Sequence, residues 1–122
     1  MADLNFTITG RISKGSLRQS FAANGVTADM ATSGVSAVTL ELGTATSSVS
    51  TANLGAVGLC FARSLATETT HTVSFGRVSG GTLYETVRLK GGEAALMRLA
   101  PGNYAAKSAV EGSRLVLTIY ED

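Results

Sequence analysis

Residues 72–89 read Thr72-Val73-Ser74-Phe75-Gly76-Arg77-Val78-Ser79-Gly80-Gly81-Thr82-Leu83-Tyr84-Glu85-Thr86-Val87-Arg88-Leu89. Val73 and Phe75 alternate with Ser74 and Gly76 before the central Ser79-Gly80-Gly81, and Leu83, Val87 and Leu89 alternate with Tyr84, Thr86 and Arg88 after it. A period of two is the mark of a half-buried strand, and glycine supplies the positive φ that a tight connection needs. The stretch is therefore an antiparallel hairpin. Moving outward, the same alternation recurs at 4–9, 17–23, 35–42, 57–65, 93–99 and 114–120. In the first of these, Leu4, Phe6 and Ile8 oppose Asn5, Thr7 and Thr9. Turn chemistry separates the runs at Ser13-Lys14-Gly15, Asn24-Gly25, Ser33-Gly34, Gly91-Gly92, Pro101-Gly102-Asn103 and Glu111-Gly112-Ser113. Asn24-Gly25 carries the signal of a two-residue hairpin turn.

Short strands with closely spaced turns and no strand–helix alternation predict an all-β fold. The expectation is a single antiparallel β-sandwich, jelly-roll or Ig-like, of about eight to ten strands over residues 1–122. One local competitor is a short helix over 92–100, because Ala94-Ala95-Leu96-Met97-Arg98-Leu99 has good helix propensity. A chain of 122 residues can bury one core without disulfides or a structural metal, whereas two domains would each be small. Phe6, Phe21, Phe61 and Phe75 sit at apolar phases and are expected in that core.

The formal net charge is +1, with ten Lys and Arg against nine Asp and Glu, so no electrostatic footprint for nucleic acid or an anionic membrane is expected. No run approaches the length of a membrane span, and Met1-Ala2-Asp3-Leu4-Asn5 lacks a basic region followed by an apolar one. Synthesis and folding in the cytosol are expected. The single cysteine, Cys60, lies in the apolar run Ala56-Val57-Gly58-Leu59-Cys60-Phe61-Ala62 and reads as a core residue.

Nothing in the sequence assembles a catalytic constellation. There is no phosphate loop, since Ser79-Gly80-Gly81-Thr82 reads as a turn, and no Gly-x-Ser-x-Gly elbow. His71 has only Glu68 close by as a second metal ligand, and the carboxylates are scattered. No enzyme activity, metal or cofactor is expected. A lectin-like module would use Tyr84, Tyr104 or Tyr120 as platforms, best if Tyr84 and Tyr104 were exposed together.

Charge placement says more than total charge. Between Met30 and Ala62 the only charged residue is Glu41, although a solvated sandwich face and its edges normally carry interspersed charges. Such a face is either covered by another subunit or solvated by its Ser and Thr, with 43–53 as a loop. Arg77, Arg88, Lys90 and Arg98 form a basic cluster in the C-terminal half, and Arg63 interrupts an apolar run. These five are the candidate interface residues, able to meet carboxylates on a partner.

Gly58-Leu59-Cys60-Phe61-Ala62-Arg63-Ser64-Leu65, Val73-Ser74-Phe75-Gly76, the segment from Leu89-Lys90-Gly91-Gly92-Glu93 through Pro101, and the closing Leu115-Val116-Leu117-Thr118-Ile119-Tyr120 resemble small β-sandwich virion proteins of tailed bacteriophages. The resemblance covers roughly residues 56–122, and it implies a capsid decoration or cement protein, with a head–tail connector, neck or tail component as the close variant. It implies a non-enzymatic partner of the major capsid protein or other virion subunits, on the capsid surface or at a vertex. It also implies a homo-oligomer, a trimer being expected at a three-fold position.

Overall fold

The computed structural model describes residues 3–122. Ten strands and no helix make up the described residues: β1 (Leu4–Lys14), β2 (Leu17–Ala28), β3 (Val35–Leu42), β4 (Ser47–Val49), β5 (Val57–Ser64), β6 (Val73–Ser79), β7 (Thr82–Leu89), β8 (Ala94–Arg98), β9 (Tyr104–Ser108) and β10 (Ser113–Glu121). They fall into two compact units, one ending at Ala31 and the other Thr32–Asp122. The antiparallel sandwich expected from the sequence is built from β3 to β10, in two four-stranded sheets ordered β3-β10-β5-β8 and β4-β9-β6-β7. β1 and β2 pair only with each other.

The sandwich pairings are nested. β6 pairs with β7, β5 with β8, β4 with β9 and β3 with β10, all antiparallel, so residues 35–121 form one long ribbon folded back at the β6–β7 turn. Two further ladders, β10 on β5 and β9 on β6, roll the ribbon into two layers. This is the jelly-roll order. The hairpin over 72–89 is thus the innermost pair of the roll, and its turn is Gly80-Gly81 with both residues at positive φ.

The core lies between the two sheets. Leu115, Leu117 and Ile119 of β10 lie beside Cys60 and Ala62 of β5 on the inner face of one sheet, with Val73 and Phe75 of β6 in the other sheet, all essentially inaccessible. Each large apolar side chain buried in this way contributes about 1.5–3 kcal/mol. The Phe75 and Tyr104 rings stack with centroids 5.5 Å apart, and the Tyr104 hydroxyl donates to the Ala100 carbonyl. Residues 92–100 are not helical. β8 takes five of them, Ala94–Arg98, because the β5 ladder and the core contacts of Ala95 and Met97 override local helix propensity. Of the four phenylalanines expected inside, only Phe75 is fully buried. Phe6 is half-buried, Phe61 is 38% exposed and Phe21 is 53% exposed. Phe61 lies on the outer face of its sheet, between the inward Cys60 and Ala62, because its near-continuous apolar run carries no period-two signal; Phe6 and Phe21 belong to the hairpin unit rather than to the sandwich.

In the β1–β2 hairpin the turn falls at Gly15-Ser16, and Asn24-Gly25 does not make a turn. It forms a bulge inside β2, two residues opposite Thr7, with Gly25 at φ 60° and its N–H donating to the Thr7 hydroxyl at 3.1 Å. The bulge has a consequence for the whole hairpin. An extra residue shifts the phase of a strand by one, so Val26 and Ala28 join the face already holding Phe21 and Ala23. One face is then mainly apolar, with Phe6, Ile8, Ile12, Leu17, Phe21 and Val26 and with Gln19 and Lys14 towards the turn, and the other carries Thr9, Arg11, Arg18 and Ser20.

Candidate interaction surfaces

All five candidate arginines and lysines are exposed, but the roll distributes them over different surfaces. Arg63 and Arg98 lie on the outer face of the β3-β10-β5-β8 sheet. Arg63 pairs with Val116 on one side and Ala94 on the other, and Arg98 opposes Leu59. Phe61 sits in the same row, between Thr118 and Leu96. Val35 opposite Tyr120 and Ala37 opposite Thr118 extend the apolar centre towards edge strand β3, where Val35 is 50% exposed. Arg114, opposite Glu41, completes the basic rim. Arg98 also reaches Asp122 at 3.1 Å, an exposed pair of small energetic weight.

The other sheet holds Arg77 and Arg88. Arg88 donates to Glu85 at 2.6 Å, and the second Glu85 oxygen accepts from the Ser74 hydroxyl at 2.8 Å. The Arg88 guanidinium, followed by the Ser74 hydroxyl, holds the Glu85 carboxyl below the usual carboxylate range. Arg77 follows Phe75 on β6, and together with Arg98 it lines a groove of about 320 Å³ floored by Phe75, Val87, Met97, Leu99 and Tyr104. Lys90 occupies the β7–β8 turn, where its N–H donates to a Glu93 carboxylate oxygen at 2.7 Å. The basic cluster is therefore not one site. Arg63 and Arg98 share a face, Arg77 and Arg98 share a groove, and Arg88 is engaged with Glu85.

Arg114, and Arg11, Lys14 and Arg18 of the hairpin, were not singled out by the sequence reading. The legible signal for the hairpin was the lack of any carboxylate between Leu4 and Ala28.

Chemistry finds little foothold among the described residues. Burial pushes the Cys60 thiol up to about 12, so at neutral pH it is not the thiolate that a nucleophile requires. No group of three or more His, Cys, Asp and Glu side chains is placed to hold a metal among the described residues. His71 and Glu68 are linked through a backbone turn, His71 N–H to Glu68 C=O at 3.0 Å. Tyr104 belongs to the core, so the paired Tyr84–Tyr104 platform for a sugar does not form; Tyr84 alone is open, 59% exposed. Comparison with family models, with curated proteins and with solved structures returns no match.

Proposed function

We propose that this chain is a structural virion protein of a tailed bacteriophage, a capsid decoration or cement protein that binds the assembled head as a homo-oligomer. The observation that carries the reading is the outer face of the β3-β10-β5-β8 sheet. Its centre is Phe61 with Leu96, Val116 and Ala37, and its rim is Arg63, Arg98 and Arg114. An apolar, aromatic centre edged by arginine is the composition of a protein interface rather than of a solvated sheet. The nearly uncharged edge strand β3 beside it lacks the lysines and prolines that usually blunt an edge. The jelly roll adds support by analogy, since viral capsid proteins use this architecture, as do lectins.

Such a protein works without catalysis. By binding only the assembled shell it shifts the assembly equilibrium towards that shell, and several contacts from one oligomer raise the effective concentration for each subsequent one. The test is co-sedimentation of the purified protein with phage shells lacking it. Attachment at a fixed ratio per capsid subunit, with a raised shell melting temperature, is expected, and both are lost with Phe61→Glu or Arg63→Glu. A protein that ignores shells overturns the decoration role, and attachment confined to a neck or tail assigns the chain there.

A further inference from the structure

The β1–β2 unit has a property that the sandwich does not share. Among the described residues it is a two-stranded sheet with no third strand, and hairpins of that kind are marginal in water unless their apolar face is covered. Here the face is extensive. Ile8 is 38%, Ile12 44%, Leu17 49% and Phe21 53% exposed, and the Phe21 ring lies across Gly10, where a Cβ would come within 2.0 Å of it. The glycine lets the ring lie flat on the hairpin, presenting its other side outward.

Charge along the hairpin is polarised. Asp3 and Asp29 flank the open end, Arg11, Lys14 and Arg18 lie towards the turn, and no carboxylate occurs between Leu4 and Ala28. Arg11 and Arg18 are on the polar face, away from the apolar residues, while Lys14 opposes Leu17 at the end of the apolar face. An eleven-residue strand spans about 36 Å, several Debye lengths, so the two ends act as separate charges.

We infer that the occupant of this face is the same hairpin of a second copy, packed face to face and antiparallel about a two-fold axis. In that arrangement Lys14, the one cation on the apolar face, lies over the open end of the other copy, beside Asp3 and Asp29. A parallel arrangement would set Lys14 against Lys14 and the aspartates against each other. Arg11 and Arg18 stay on the outer surfaces and need no desolvation. The middle of the face, Ile8 with Ala23 and Gly10 with Phe21, falls at the axis, and the two Phe21 rings form the centre of the contact. Two sheets stacked at about 10 Å convert two marginal hairpins into one four-stranded sandwich. The inference is independent of what the sandwich face binds.

The 122-residue chain is put through sedimentation equilibrium over a range of concentrations. A dimer is expected, and Phe21→Glu should raise its dissociation constant at least about 30-fold, the loss typical of a central hot spot. Circular dichroism of the variant, unchanged in the sandwich melting transition, confirms that it is folded. Single-cysteine variants then fix the direction, because native Cys60 is buried. Mixed Lys14→Cys and Leu4→Cys chains, both substituted on the apolar face, should be joined by a bismaleimide spanning about 10 Å, the spacing of stacked sheets, while Lys14→Cys alone should not cross-link. A monomer with the hairpin amides protected from exchange overturns the proposal in favour of an intramolecular cover. A trimer insensitive to Phe21→Glu, or self-cross-linking of Lys14→Cys, overturns it as well.

Discussion

The Ser108 hydroxyl donates to the Ser113 hydroxyl at 2.8 Å, and both residues are buried where β9 turns into β10. Ser108 also accepts from the Val110 N–H at 3.1 Å, so one side chain ties the connection to both flanking strands. The Ser108 N–H reaches the Gly43 carbonyl at 2.9 Å, joining the same corner to the end of β3. Ser108→Ala removes the acceptor for Val110 and the donor for Ser113. A loss of about 1–2 kcal/mol in urea unfolding is expected, with a melting temperature lower by a few degrees. Stability unchanged by Ser108→Ala would show that the hydroxyl pair contributes nothing net.

Cys60 makes a sharper prediction because its burial is complete. The folded thiol titrates near 12, against an ordinary value of 9.0, so above pH 9 the unfolded chain loses a proton that the folded chain keeps. The Cys60 contribution is therefore fully present below pH 9 and declines as pH rises towards 12. At pH 8 a thiol reagent should label the native protein only as fast as it unfolds, and immediately in denaturant. Labelling of the native protein within seconds would place the thiol at the surface.

The acid side is governed by Glu85 and Glu111. Glu85 is held down by hydrogen bonds from Arg88 and then Ser74, and Glu111 by the Thr44 backbone N–H at 3.0 Å and then the Thr44 hydroxyl at 3.1 Å. A carboxylate with a depressed folded pKa stabilises above its unfolded value, near 4.5, and that stability disappears as pH falls through the folded value. The difference in unfolding midpoint between the natural protein and Glu111→Gln should therefore be largest at pH 7 and shrink below pH 4.5. A difference that grows on acidification would reverse the sign and remove Thr44 as the cause.

For the face proposed to bind a shell, the separation of the arginines gives an internal control. Arg63 and Arg98 share the outer face of one sheet, whereas Arg88 is held by Glu85 on the other. Reversal of either Arg63 or Arg98 to Glu should weaken shell attachment by about tenfold or more, and Arg88→Glu, the same change in charge, should leave it within about twofold. Equal losses from both would mean that attachment follows net charge rather than a defined face.

Sequence alternation located eight of the strands, since period-two patterns register burial on one face directly. It passed over β4 and β9 for physical reasons. β4 is three residues long, and in β9 Ala105 and Ala106 are both inaccessible, so no alternation exists to be read. The jelly-roll order depends on pairings such as Val35 with Tyr120, which no local pattern encodes. For the same reason Arg77 and Arg88 look like neighbours of Arg98 in the sequence, while only the stacking of the two sheets brings Arg77 of β6 to the Arg98 groove. Asn24-Gly25 was misassigned because a hairpin turn and a bulge both require positive φ, and only the ladder opposite distinguishes them.

That bulge can be tested by its effect on facing. Gly25 at φ 60° admits a β-branched residue only at a cost of about 1–2 kcal/mol, and the extra residue is what returns Val26 and Ala28 to the side of Phe21. Gly25→Val should loosen the hairpin, and deletion of Asn24 should turn Val26 and Ala28 towards Arg11 and Arg18. Hydrogen exchange reads both. Amides of residues 4–28 should lose protection, more in the deletion than in the substitution, while those of β5, β6 and β10 keep theirs. Retained protection across residues 4–28 in the deletion would show that the phase shift plays no part in holding the hairpin together.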